Sequence, residues 1–429
     1  MNSNTSQVPG EGKLARYFQL LLVVVAAGSI FPLIYLRHGY EVTILEVFNM
    51  EASQLNTIFS VMGIVTVIGY FPSGYLSDRF SAKWLLTISL FVTGAMGLWF
   101  AQIPSFANVI VIYIIWGIFS IFTFWSAHLK LVKLLSRSGE EGRFFGMWDG
   151  GRGVVEATLA MAALFIFSNV MGDGGGGETS RRALVGVIYM YSFFLLAVSL
   201  LVALFVKDDK ESKADKGDAF GLSGLKELCA NRLIFLVGGI IFMGYFVFWT
   251  FRTMSSFMQN NLGVTAVTVA AIMVIAQWMR PVGGILGGFL ADRLGRANVV
   301  IGTLTIGSIL LIVIAFLPAD VPVNLAVAII LICITFLWAI RGTYWSILGE
   351  CNVRNQTMGL AIGLISLIGY LPDIFSPMVN TLSHRIFGSE WGHNGYFVIS
   401  AVFGFLGVGL LILFRKRTKE SDRKEQTAG

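Results

Sequence analysis

The chain has 429 residues, of which 55% are hydrophobic and 13% charged, with a mean hydropathy of +0.75. Soluble proteins carry roughly 25% charged residues, so this chain has too few to solvate the two or three domains its length would otherwise fill. That excludes a soluble enzyme, a disordered chain and a disulfide scaffold, and places the protein in a bilayer.

A helix of about 20 apolar residues crosses a hydrocarbon core ~30 Å thick. By that measure the chain predicts twelve spans. The first, 17–37, follows Lys13 and Arg16 and is longer than the apolar core of a signal peptide, so it reads as an uncleaved helix. The next five are 54–75, 84–103, 107–128, 144–170 and 183–206; the second six are 232–258, 264–287, 298–317, 323–348, 357–380 and 395–414. Stretches such as 20–27 and 299–317 lack the polar–apolar alternation of barrel strands, so these are helices.

Most of the 31 basic residues fall on one side of this arrangement: Lys13 and Arg16; Arg79 and Lys83; Lys130, Lys133, Arg137 and Arg143; those of the central loop; Arg293 and Arg296; Arg354; and the tail from Arg415. The positive-inside rule then predicts both termini in the cytoplasm; the expected location is the inner (plasma) membrane of a bacterium. The opposite side holds Arg181, Arg182 and Arg385, and residues 172–177 read as a flexible external connector. Net charge of +6 is thus a mark of topology and not of nucleic-acid binding.

The reading is an all-α membrane protein of twelve transmembrane helices in two six-helix halves. Residues 1–206 form the N-terminal half, 207–231 a charged cytoplasmic linker, and 232–429 the C-terminal half with its tail. The halves share a sequence: Gly74-Tyr-Leu-Ser-Asp78-Arg79-Phe-Ser81-Ala82-Lys83 in one and Gly288-Phe-Leu-Ala-Asp292-Arg293-Leu-Gly295-Arg296 in the other, between the second and third spans of each. The two aspartates are 214 positions apart, half the chain, as an internal duplication requires.

These stretches resemble the signature of the major facilitator superfamily, Gly-x-Leu-Ala-Asp-Arg-x-Gly-Arg-Arg, and the likeness extends to the twelve spans, the two halves and the charged central loop. A weaker similarity points to the organic-phosphate and organic-anion branch. The first copy departs from the signature at Ser81 and Ala82. The resemblance implies that Gly74, Asp78, Arg79, Gly288, Asp292 and Arg293 gate the cytoplasmic side, each aspartate meeting a helix N-terminus or an arginine; the competing reading makes the basic residues topology determinants alone. It also implies that spans 3, 6, 9 and 12 face lipid. Those spans contain no charged residue.

Charges inside spans are costly, at least ~2.5–3.5 kcal/mol on insertion scales, and therefore point to function. Arg37 ends span 1 and Arg252 lies late in span 7, nearly equivalent places in the duplication. As a pair they would clamp a carboxylate or phosphate, as in organic-phosphate antiporters; as single residues they would anchor at the interface. Span 5 carries Asp149, Arg152 and Glu156 on one face, and span 8 carries Arg280 before Pro281. A Glu156–Arg280 pair is expected from depth, either fixed or broken during transport, or else a site in which Arg280 binds the substrate and Glu156 takes a proton, with Asp149 and Arg152 as gating residues. Asp373, after Pro372, is a proton carrier or the partner of Arg37 or Arg252; Glu156 is the second proton-coupling candidate. Arg341, Tyr35, Trp125, Trp249 and Trp345 complete the substrate-binding set, with helix packing as the competing role for the aromatics.

No phosphate-binding glycine loop, metal-ligand spacing or nucleophile motif is present, so no cofactor and no enzymatic activity is expected. The function expected is secondary active transport of a small solute, with an organic anion as the leading class, by rocker-switch alternating access with proton coupling or exchange. Proton-driven export of drugs or other amphipathic compounds, and ligand sensing without transport, are the alternatives. Expected partners are the solute, protons and lipid; the chain is expected to act as a monomer and to bind no nucleic acid.

Overall fold

Backbone amides and carbonyls in hydrocarbon must be satisfied within their own segment, so apolar runs of this length fold as helices. The computed structural model describes residues 13–137, 139–171, 177–208, 222–264, 266–318, 321–351 and 353–428. Among them twelve helical spans are long and apolar enough to cross a membrane: Lys13–Ile34, Thr57–Arg79, Ala82–Phe100, Phe106–Leu135, Glu141–Met171, Gly177–Phe205, Arg232–Asn260, Ile272–Leu294, Arg296–Ala315, Val323–Glu350, Asn355–Gly388 and Glu390–Thr418. They are spans 1 to 12 below. Much of the 207–231 linker, at 209–221, and most of the 172–177 connector lie outside the described residues.

The spans differ from the sequence reading mainly at their ends. Spans 2 and 8 run on through Arg79 and Leu294, so the two signature stretches are not loops. Residues 74–79 and 288–294 are the last turns of a helix, Phe80–Ser81 and Gly295 make the reversal, and Ala82 and Arg296 begin the next helix. Gly295 does so at φ +91°, a left-handed conformation that favours glycine. The misplaced edge has a simple cause: Ser77, Asp78 and Arg79 are polar but carry no helix breaker, and hydropathy alone ends a span at the first polar cluster.

Three spans are irregular where functional candidates lie. Span 4 widens into a π-type turn at Ile118–Phe122, just before Trp125. Span 10 tightens to a 3-10 helix at Tyr344–Glu350, beginning one residue before Trp345. Span 11 is α-helical over Met358–Gly369, breaks at Tyr370 and Leu371, and restarts at Pro372, whose missing amide suits the first position of a helix.

Two compact units emerge. Unit 1 consists of Met1–Arg137, Val154–Leu225 and Arg354–Gly363; unit 2 of Ser138–Gly153, Lys226–Val353 and Leu364–Gly429. Each unit thus takes the first turns of one helix from the opposite half of the sequence: the start of span 11 for unit 1 and the start of span 5 for unit 2. In unit 1, span 6 packs on spans 1 and 3 and span 2 packs on span 4; in unit 2, span 10 packs on spans 8 and 9. The core of unit 1 includes Trp116, Tyr113 and Phe100, that of unit 2 Phe246, Tyr396 and Phe397, all fully buried. Spans 3, 6, 9 and 12 expose large apolar side chains, such as Phe91, Leu204, Ile309 and Leu406, as a lipid-facing surface requires.

Candidate substrate site and helix latches

The signature aspartates sit where a helix begins. In unit 1, Asp78 Oδ1 accepts the Gly359 amide at 2.8 Å and Oδ2 the Leu360 amide at 2.6 Å, at the N-terminus of span 11's first helical piece. Lys130 Nζ stands 3.2 Å from Oδ1 and donates to the Ser77 carbonyl at 2.8 Å. In unit 2, Asp292 Oδ1 accepts the Gly142 amide at 2.8 Å, and Oδ2 accepts the Arg143 amide at 3.0 Å and Nε at 3.1 Å, at the N-terminus of span 5. Free amides and the positive end of the helix dipole make such ends natural carboxylate sites. A second pair, Arg296 Nη2 with Glu141 Oε2, joins the same place.

The signature glycines let these backbones meet. A Cβ on Gly74 would come within 2.4 Å of the Gly359 carbonyl oxygen, and one on Gly288 within 2.4 Å of that of Gly142. No side chain fits at either position. Arg79, by contrast, is exposed and hydrogen-bonded to Tyr75 Oη at 2.6 Å, and Arg293 is exposed. Lys130, Arg143 and Arg296 were legible only as charges that set topology, and Glu141 had no reading; what identifies them as latch partners is their contacts with a signature aspartate or with each other, which require the tertiary structure.

A second concentration of charge lies within unit 2. Asp149 is wholly buried, and its Oδ1 faces Arg280 Nη2 at 3.1 Å and Arg341 Nε at 3.6 Å. Arg152, one turn further along span 5, is 4% exposed and within electrostatic reach of Asp149. The arginines lie on aromatic rings: Arg152 on Trp148 at 5.1 Å, Arg280 on Trp338 at 4.9 Å, and Arg341 on Phe248 and Tyr245 at 4.9 and 5.4 Å. Asp149 Oδ2 and Arg341 Nη1 are buried without a hydrogen-bond partner. Three guanidiniums therefore gather near one carboxylate, with aromatic rings against their faces.

Arg280 pairs with Asp149, a contact that depth counting did not predict. A Cβ on Gly153 would lie 2.7 Å from Arg280 Cδ, so the arginine side chain runs along this bare stretch of helix, one turn from Asp149. Glu156 is half-buried and belongs to unit 1. Counting depth along each helix could not show that a glycine on span 5 would give the arginine its path.

Asp373 adjoins this group. Tyr245 Oη donates to its Oδ1 at 2.8 Å and Trp249 Nε1 at 3.0 Å. It is the second residue after the break in span 11. Arg252 and Arg341 are its cationic neighbours. Arg252 is exposed and lies 4.4 Å from the Trp249 ring centre, while Arg37, half-buried in unit 1, lies 4.6 Å from that of Phe59. Trp345 is buried and donates to Tyr370 Oη at 3.1 Å. In unit 1, Trp125 packs edge-on to Tyr70 and His128, and Tyr35 meets Phe31 and Phe59. Tyr245 and Tyr370 escaped the sequence reading; their one signal is a hydroxyl in an apolar span, Tyr245 four residues before Trp249. Among the described residues no three His, Cys, Asp or Glu side chains gather as a metal site.

Comparison with known proteins adds identity to this geometry. The Major Facilitator Superfamily pattern matches residues 17–377. The chain is 27% identical to inner membrane protein YqcE of Escherichia coli (strain K12), over 95% of this chain and 96% of that one. It is 22% identical to the probable nitrate transporter NarT of Staphylococcus epidermidis, covering 86% and 89%. Among solved structures, the E. coli fucose:proton symporter FucP superposes with a TM-score of 0.71 at 16% identity, covering 94% of this chain and 98% of that one.

Proposed function

Because the chain belongs to the Major Facilitator Superfamily of multi-pass membrane transporters, we propose that it moves a small anion across the inner membrane by alternating access. The observation that carries this reading is the convergence of Arg280 and Arg341 on one oxygen of the buried Asp149, with Arg341 Nη1 left without a hydrogen-bond acceptor. Charged side chains inside membrane-spanning segments are costly and mark substrate pathways. Arg280 and Arg341, with Arg152 behind them, would hold the anion through charge-assisted N–H donors. The rings of Tyr245, Phe248, Trp338 and Trp148 supply apolar surface for the rest of an organic molecule, which favours an organic anion over a bare ion. A relative described as a nitrate transporter supports anionic cargo, and a symporter of the same fold supports coupling to protons.

In this reading the aspartate latches release and re-form as the cytoplasmic side opens and closes. Arg37, Arg252 and Asp373 serve the path by which the anion arrives, and Glu156 and Asp373 stand as proton carriers. The experiment is uptake of radiolabelled benzoate and nitrate into proteoliposomes, with and without an inward proton gradient. Saturable uptake of either, driven by the gradient and lost in Arg280→Gln and Arg341→Gln, is expected. Flux of cationic dyes alone would refute the anion reading, as would anion uptake indifferent to both substitutions.

A further inference from the structure

We propose that Asp373 is a hydroxyl-binding subsite, so that the anion this protein carries bears hydroxyl groups, as a hydroxy acid or a sugar acid does. The inference rests on the anion reading above and names the substrate class within it.

Asp373 stands at a helix start yet does not cap it. The second piece of span 11 begins at Pro372, and Asp373 follows directly. A carboxylate beside a helix start ordinarily turns to the free amides there, as Asp78 and Asp292 turn to those of spans 11 and 5. Asp373 turns to span 7 instead. Its Oδ1 accepts Tyr245 Oη at 2.8 Å and Trp249 Nε1 at 3.0 Å, while Oδ2 accepts no hydrogen bond from the described residues. Two neutral donors thus fix the carboxyl group by one oxygen and leave the other to accept from a ligand.

The place of this oxygen points to a solute route. Asp373 lies near the middle of the 34-residue span 11 and is exposed. A carboxylate at such a position cannot face hydrocarbon without a large cost, so it faces water.

Its surroundings select what it accepts. Arg252 of span 7 and Arg341 of span 10 both act electrostatically on Asp373. Their positive charge repels a ligand ammonium but not a hydroxyl, a neutral donor like the two already present. The same guanidiniums suit the charged end of the molecule. Arg252 lies 4.4 Å from the centre of the Trp249 ring and Arg341 5.4 Å from that of Tyr245. Each cation therefore rests on a ring whose polar atom holds Asp373, which sets hydroxyl and anion recognition a few carbon atoms apart.

The test titrates purified full-length protein with two pairs of acids of equal carbon number, glycerate with propionate and gluconate with hexanoate. Binding is read by tryptophan fluorescence, since the Trp249 indole donates to Asp373. Wild type should bind the hydroxylated member of at least one pair about tenfold or more tightly, as a hydrogen bond to a charged acceptor provides. In Asp373→Ala that ratio should fall to about one; the ratio cancels any general weakening of anion binding. Should the variant fail to fold, the wild-type ratios stand alone, with β-alanine added to probe for an ammonium. Equal wild-type affinity within both pairs, a ratio unchanged in Asp373→Ala, or β-alanine binding more tightly than glycerate overturns this proposal and leaves the anion reading in place. So does failure of all four acids where benzoate or nitrate binds. Failure of all four together with benzoate and nitrate overturns the anion reading and the proposal with it.

Discussion

Asp78 and Asp149 are both buried in membrane-spanning helices, and they differ in how their charge is answered. Asp78 uses both oxygens, on two helix-terminal amides and Lys130. Asp149 leaves an oxygen without a partner among three arginines. The first carboxylate has both oxygens hydrogen-bonded; the second leaves Oδ2 open, and beside it Arg341 Nη1 has no acceptor. A buried charge fully satisfied by its own chain argues for a structural or gating part, whereas one left unbalanced calls for a ligand. Asp292 belongs with Asp78, since it too caps a helix with both oxygens.

The comparison breaks first at the arginines. Arg341→Gln or Arg280→Gln should weaken anion binding at least about a hundredfold, in line with the ~2–5 kcal/mol lost when one partner of a buried charge-assisted contact is removed, and fluorescence titration checks it. Next in size are the latch glycines. Gly288→Leu would drive a side chain into a backbone 2.4 Å away, so loss of transport and a destabilisation of about 2–4 kcal/mol are expected, read as a fall in Tm in detergent. Asp78→Asn leaves the buried Lys130 without its counter-charge; a cost of about 3 kcal/mol follows. Asp292→Asn, whose partner Arg143 is partly exposed, should cost about 1 kcal/mol, so the two Tm values should separate in that order. Arg79→Gln, at the exposed end of the signature, should change stability by less than about 0.5 kcal/mol. Equal effects at Asp78 and Arg79 would remove the distinction between latch and topology residue.

The sequence was most informative where a feature repeats or has a period. Twelve apolar runs were enough for the spans, and the duplicated Gly-x-Leu-x-Asp-Arg was enough to locate the latches' aspartates and glycines. Arg280, Arg341 and Asp149 were each visible as charges in apolar helices. Their convergence was not, because it depends on Gly153 leaving room for the Arg280 side chain, and a glycine shows in sequence that space exists without showing what fills it. For the same reason Lys130 and Arg143 read as topology residues: a positive charge near a helix end looks alike in sequence whether it faces water or an aspartate 50 or 150 positions away.

The account turns on whether the arginines around Asp149 bind an anion. Calorimetric titration of benzoate into the purified protein tests that most directly, comparing wild type with Arg341→Gln. One saturable site in wild type, weakened at least about a hundredfold by the substitution, is the predicted result; equal affinity in the two proteins would contradict it.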